Sequence, residues 1–128
     1  MKNSVYSYNS DSCQVSYLED KDAILCTWKQ FCQADEYKNP LLYGLKILNE
    51  TQCKTWITDT QNGFESTLED TQWLLEEFLP KTIGSSCKNI IFIIKNDSPL
   101  NDEIAQQAEA LGQYFDVKIF ETLDQTHK

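Results

Sequence analysis

The sequence predicts an α/β domain: a mixed sheet with an N-terminal antiparallel hairpin followed by parallel βαβ units, with helices packed on the sheet. Three observations carry this. Apolar residues alternate with period two over residues 14–18 and 23–28, on either side of the polar turn Glu19-Asp20-Lys21-Asp22. From Asp35 the period becomes three or four, with Tyr37, Leu41, Leu45 and Leu48 in step. Beyond that, strand-like and helix-like segments take turns along the chain. Two alternating runs around a short polar turn make a hairpin, and strands joined by helices run parallel with right-handed connections.

Residues 4–8 are expected as a first, frayed strand, followed by the turn-rich Asn9-Ser10-Asp11-Ser12. In the hairpin, Val15 and Tyr17 share one face of the first arm. Ile24, Cys26 and Trp28 share one face of the second, with Leu25 and Thr27 on the other. Two starts fit the first helix around Pro40. It begins near Asp35 with a perturbed second turn, or Asn39 caps it with Pro40 at the first helical position. Tyr37 already fits the stripe, which favours the earlier start. Residues 54–58 read as a short central strand built on Trp56 and Ile57. Ser66-x-x-Glu69 matches a capping box, opening a helix that carries Leu68, Leu75, Phe78 and Leu79 inward and ends near Pro80. Residues 89–94 are apolar on both faces, as an interior parallel strand is. Residues 101–111 form a helix with Ile104, Ala105, Ala108 and Leu111 on one stripe and Gly112 as its stop. Residues 114–120 alternate again, with Phe115, Val117 and Ile119 as one set.

The 128 residues fit one domain, with a core expected over residues 14–120. The net charge of −9 repels phosphate backbones, so nucleic acid is not an expected partner. The longest apolar run is Ile90 to Ile94, too short for a membrane span, and the N-terminus has no signal-like apolar stretch. The five cysteines contain no C-x-x-C pair, and the single histidine is His127. They are therefore expected to be reduced thiols of a cytoplasmic protein. Neither a Cys/His metal site nor a Cys–His dyad is expected, and no cofactor is implied.

Three sets of residues are candidates for function. The loop Asp59-Thr60-Gln61-Asn62-Gly63 follows the carboxyl end of a central strand, where α/β sheets bind ligands or partners. Thr60 and Ser66 are candidate phosphosites there; in the structural alternative Asp59 makes an Asx turn and Ser66 is only a cap. The second set is aromatic. Trp28, Trp56, Phe64 and Trp73 are candidates for lining a pocket for an apolar small ligand, against the alternative of plain core. Trp73 lies off the leucine stripe, at the pocket's flank or on a partner surface. The third set is acidic, Glu65, Glu69, Asp70, Glu76 and Glu77: Glu76 and Glu77 read as a solvated helix face and Glu69 and Asp70 as favouring the helix N-terminus, while the spacing does not support the alternative of metal binding or paired-carboxylate chemistry.

The segment from Ile24 through Trp28 to Phe31, the strand end Trp56-Ile57-Thr58-Asp59, and Trp73 with Phe78-Leu79-Pro80 resemble SpoIIAA-like, STAS-type domains, in particular their short stand-alone bacterial members. The resemblance spans roughly residues 15–120. It implies a mixed sheet flanked by helices, no catalytic apparatus, and a regulatory or protein-binding role. Better-known members are switched by phosphorylation of a hydroxyl residue after a central strand and bind a kinase; here Asp59-Thr60 stands in that region, without the usual serine pair. A related branch resembles the lipid-binding CRAL-TRIO architecture and implies an apolar, lipid-like ligand. The expected function is thus a non-enzymatic binding or regulatory module, with a carrier or sensor of an apolar ligand as the alternative. An exposed hairpin edge makes a homodimer a further expectation.

Overall fold

The computed structural model describes residues 6–19, 21–29, 34–60, 68–94 and 101–121. They form one six-stranded mixed sheet in which the strands lie in sequence order, β1 to β6. β1 (Ser7–Asn9), β2 (Cys13–Leu18) and β3 (Ala23–Trp28) are antiparallel, and Val15 faces Cys26 across the hairpin. β4 (Thr55–Asp59), β5 (Asn89–Ile93) and β6 (Asp116–Phe120) continue from β3 in parallel. The predicted α/β class and mixed topology are therefore what the chain adopts. The central strand sits one residue later than periodicity placed it, and the last strand begins at Asp116, after a turn holding Tyr114 and Phe115. Three-residue β1 covers the hairpin edge, so the sheet ends on a short strand rather than on the hairpin.

Parallel neighbours in sequence order need right-handed crossovers, which bring every connecting helix to the same face. Burial agrees. Val15, Ile24, Cys26, Trp28, Trp56, Ile90 and Phe92 share one core with Tyr37, Leu41, Leu45 and Leu48 of α1 (Asp35–Thr51), Phe78, and Leu111 of α4 (Asn101–Leu111). The opposite parity forms a smaller cluster: Ala23, Ile57 and Ile93 are buried, with Leu18, Leu25 and Ile91 packed beside them. No helical residue belongs to it among the described residues. On α4 Ala105 is exposed, Ala108 is half-buried and Leu111 is buried, while the side chain of Ile104 lies outside the described residues. Ile119 is likewise exposed on edge strand β6, while Phe115 is buried.

α1 starts at Asp35 and runs through Pro40 without a break. Pro40 removes one hydrogen bond from the ladder, a cost of about 3 kcal/mol in an ordinary helix interior. Packing offsets it. Pro40 itself is fully buried, and Tyr37 one turn earlier stacks on Trp28 with ring centres 5.6 Å apart. Halfway along, Gly44 faces the sheet. A Cβ there would lie 2.5 Å from Cη2 and 2.8 Å from Cζ2 of Trp56. A methyl group does not fit unless the buried indole shifts out of its place on the core. No described helix is long and apolar enough to cross a membrane.

Alanine is the better helix former by about 1 kcal/mol, yet overpacking typically costs 1–3 kcal/mol. Gly44→Ala is therefore expected to lower stability by about 1–2 kcal/mol, read as a lower urea midpoint with an unchanged slope.

Candidate functional site

An apolar cavity of about 70 Å³ lies between the sheet and its helices. Its floor is Trp28 of β3, Trp56 and Thr58 of β4, and Ile90 and Phe92 of β5. These belong to one side of the pleat, so period-two alternation alone brings them together. Tyr37 and Leu41 of α1 form one wall. Leu74, Phe78, Leu79 and Thr82 form the opposite wall, and Leu111 and Phe115 close the end. None of the lining side chains carries a formal charge at neutral pH. A void of this size, left empty, costs on the order of 2 kcal/mol.

The wall opposite α1 has an unusual backbone. α2 (Leu68–Trp73) passes into a π turn over Leu74–Phe78 and then into α3 (Leu79–Ile83). In the widened turn the Leu79 N–H donates to the Leu74 carbonyl, five residues back. Pro80 lies just beyond. Its ring would collide with the carbonyl four residues earlier, at Glu76, in a regular helix. The wide turn includes Glu76 and opens that spot, so the helix continues to Ile83 instead of ending near Pro80 as predicted.

The extra residue also changes which side chains face the sheet. Asp70, Phe78 and Thr82 are buried, and Leu74 packs on the core; they are spaced by fours. At 3.6 residues per turn a spacing of four drifts by about 40° per step, and one π turn removes most of that slip. Leu75, expected inside from a regular period, is 40% exposed. Trp73, expected off the stripe, packs against the core with its ring 5.7 Å from Phe78 and 6.5 Å from Tyr37. The Lys38 ammonium lies 5.4 Å from its ring centre.

Asp70, expected to favour the N-terminus of its own helix, also serves another one. It is 2% exposed, and its Oδ2 accepts the backbone N–H of Ala34 at 2.9 Å. Ala34 has φ 55° and ψ −127°, a conformation that suits glycine, and it immediately precedes α1. α1 has no side-chain cap of its own, so a carboxylate from α2 holds its entry instead. Glu76 and Glu77 are exposed, as predicted, and so is Glu69.

Of the four aromatic pocket residues, Trp28 and Trp56 line the cavity and Trp73 stands against two of its lining rings. Phe64 lies outside the described residues. So do Gln61, Asn62 and Gly63 of the strand-end loop, Ser66, and the acidic residue Glu65. Asp59 ends β4, half-buried. Thr60 is 2% exposed, and both its N–H and its hydroxyl donate to the Ile93 carbonyl at 2.8 Å. The hydroxyl extends the β4–β5 ladder by one rung, and a kinase would have to break that rung to reach it. Gly44, Thr58 and Thr82 were not singled out from the sequence. A glycine on the inward stripe of a helix is the one signal that marks the first, since it weakens a helix unless something approaches closely.

Cys13, Cys26, Cys53 and Cys87 are free and buried. Burial pushes the Cys26 thiol well up from its ordinary value; the neighbouring Cys13 adds to this, and Trp56 works against it. Cys53 is also raised by burial, and Cys87 is pushed up to about 12. Such thiols are protonated at neutral pH and serve as small apolar packing groups rather than nucleophiles. No group of three or more His, Cys, Asp or Glu residues that could hold a metal ion occurs among the described residues. No family model matches the chain, and no curated protein or solved structure is significantly similar to it.

Two outcomes follow. Leu74→Ala is expected to cost about 2 kcal/mol or more and Leu75→Ala under about 0.5 kcal/mol in urea unfolding, the reverse of what a regular helix would give. The folded chain holds thiol protons that the unfolded chain releases above its ordinary thiol value of 9.0. Tyr17, also pushed up to about 12 by burial and by its hydrogen bond to Asp22, acts in the same direction. Stability should therefore be full below about pH 9 and fall between about pH 9 and 12, measured as the urea midpoint against pH.

Proposed function

We propose that this protein is a non-enzymatic binding module that carries or senses a small apolar ligand in the cavity between the sheet and helices α1 to α3. The observation that carries this is the cavity itself: about 70 Å³, floored by two tryptophans and lined by uncharged side chains. Ligand sites are concave, mostly apolar, and contain a few polar groups, and this cavity has that composition. An apolar void is costly in a domain of this size, and a ligand that fills it recovers the lost contacts. The protonated, buried thiols and the hydroxyl of Thr60, engaged with the Ile93 carbonyl, support a binding role over a catalytic or phosphate-switched one. The resemblance to STAS-type domains points the same way. In that setting a bound ligand would regulate a protein partner, with the Asp59 end of β4 as the contact.

Thermal unfolding with toluene and naphthalene as probes tests the proposal. A ligand that binds only the folded state raises the melting temperature by mass action. Toluene is expected to stabilise the native protein and to lose that effect in Leu79→Trp, where a larger ring occupies the cavity. If neither probe shifts the native melting temperature at saturation, the cavity is plain core and the proposal fails.

A further inference from the structure

The cavity is apolar but not uniformly so, and its polar atoms select among ligands. Thr58 and Thr82 are the hydroxyl residues in its lining. The Thr82 hydroxyl donates to the Phe78 carbonyl at 3.0 Å, so its proton is engaged and only its lone pairs face outward. Thr58 is different. It sits on central strand β4 between Cys26 and Phe92, on the side of the pleat that the helices cover, and yet it is only half-buried. Among the described residues, none hydrogen-bonds to its hydroxyl. Its side chain forms part of the cavity lining.

The other lining groups narrow the choice further. Trp28 and Tyr37 also line the cavity, and each makes further interactions of its own. The absence of formal charge in the lining means that a charged ligand would lose its hydration without a counter-ion. The lining offers ring faces and edges: Trp28 stacks on Tyr37 at 24°, and Trp56 meets Phe78 edge-on at 82°. Such walls favour a ring over a flexible chain, because ring faces and edges can both be met.

Building on the ligand-binding proposal above, we infer that the cavity takes a neutral single-ring ligand bearing one O–H or N–H donor, with Thr58 accepting that hydrogen bond. Thr58 is then a specificity-determining residue, and the ring supplies the bulk of the affinity.

Phenol and toluene test this, since they match in shape and differ in one O–H. A cavity without a hydrogen-bond partner would prefer toluene by at least about tenfold, because the phenol hydroxyl would be buried unsatisfied. Titrations followed by NMR at the Trp28 and Trp56 indole N–H signals should instead show phenol binding at least as tightly as toluene. Benzylamine, which carries the charge, should bind more weakly than either. Thr58→Val keeps the shape of the side chain and removes the hydroxyl. It should weaken phenol by about tenfold and leave toluene unchanged or slightly tighter. Toluene preferred in the native protein, or a phenol-to-toluene ratio unmoved by Thr58→Val, overturns the inference while the apolar binding site stands. Failure of both rings to bind overturns the site itself. Should Thr58→Val fold poorly, Thr58→Ser retains the hydroxyl and must retain the phenol preference.

Discussion

The indole of Trp56 lying against the bare backbone of Gly44 is the contact on which the rest of the structure depends. It sets how closely α1 approaches the sheet, because a helix with any side chain at that position would have to stand further off. Close approach there buries Leu41, Leu45 and Leu48 along the same helix face. It also fixes the plane of the indole, which meets Phe78 edge-on and forms part of the cavity floor. One glycine thus couples helix docking to cavity shape. It does so at a cost in helix propensity that only tertiary packing can offset.

The opposite wall is shaped by backbone rather than by a side chain. A regular helix through Leu74 and Leu75 would run into Pro80 and would turn its inward face away from the sheet before reaching Thr82. The π turn resolves both conflicts at once, since the added residue clears Glu76 from the proline ring and keeps Asp70, Leu74, Phe78 and Thr82 in line. Four residues of that wall, Leu74, Phe78, Leu79 and Thr82, line the cavity. The local irregularity and the cavity are therefore one feature seen at two levels.

Much of this architecture is legible in the sequence because the governing signals are local. The hairpin, the parallel strands, α1 and α4 follow from periods of two and about 3.6 residues, and these place Trp28 and Trp56 on one face. What the sequence hides is where a period is broken. Leu75 and Leu74 are equivalent in composition, and only the three-dimensional collision at Pro80 decides that Leu74 turns inward. Asp70 looks like one more acid in a polar run, because its partner, the Ala34 N–H, lies 36 residues away in sequence. Thr58 looks like an ordinary strand residue, because only the packing of the helices makes it part of a cavity lining. Each of these depends on long-range packing, which neither propensity nor spacing encodes.

That a cavity persists at all needs a cause, since close packing is the default of protein interiors and apolar voids tend to collapse. Here directional devices position the two walls, which also touch where Trp73 meets Tyr37 and Lys38. The Trp56–Gly44 contact fixes α1 from below. The Asp70 carboxylate ties the start of α1 to α2 through Ala34, a residue whose strained backbone would relax if that bond were lost. The π turn and Pro80 stiffen the far wall. Collapse would have to break a buried charge-assisted hydrogen bond or force the indole into the backbone of α1. Each is individually comparable to the roughly 2 kcal/mol that closing the void would return. The opening is thus built into the frame of the fold.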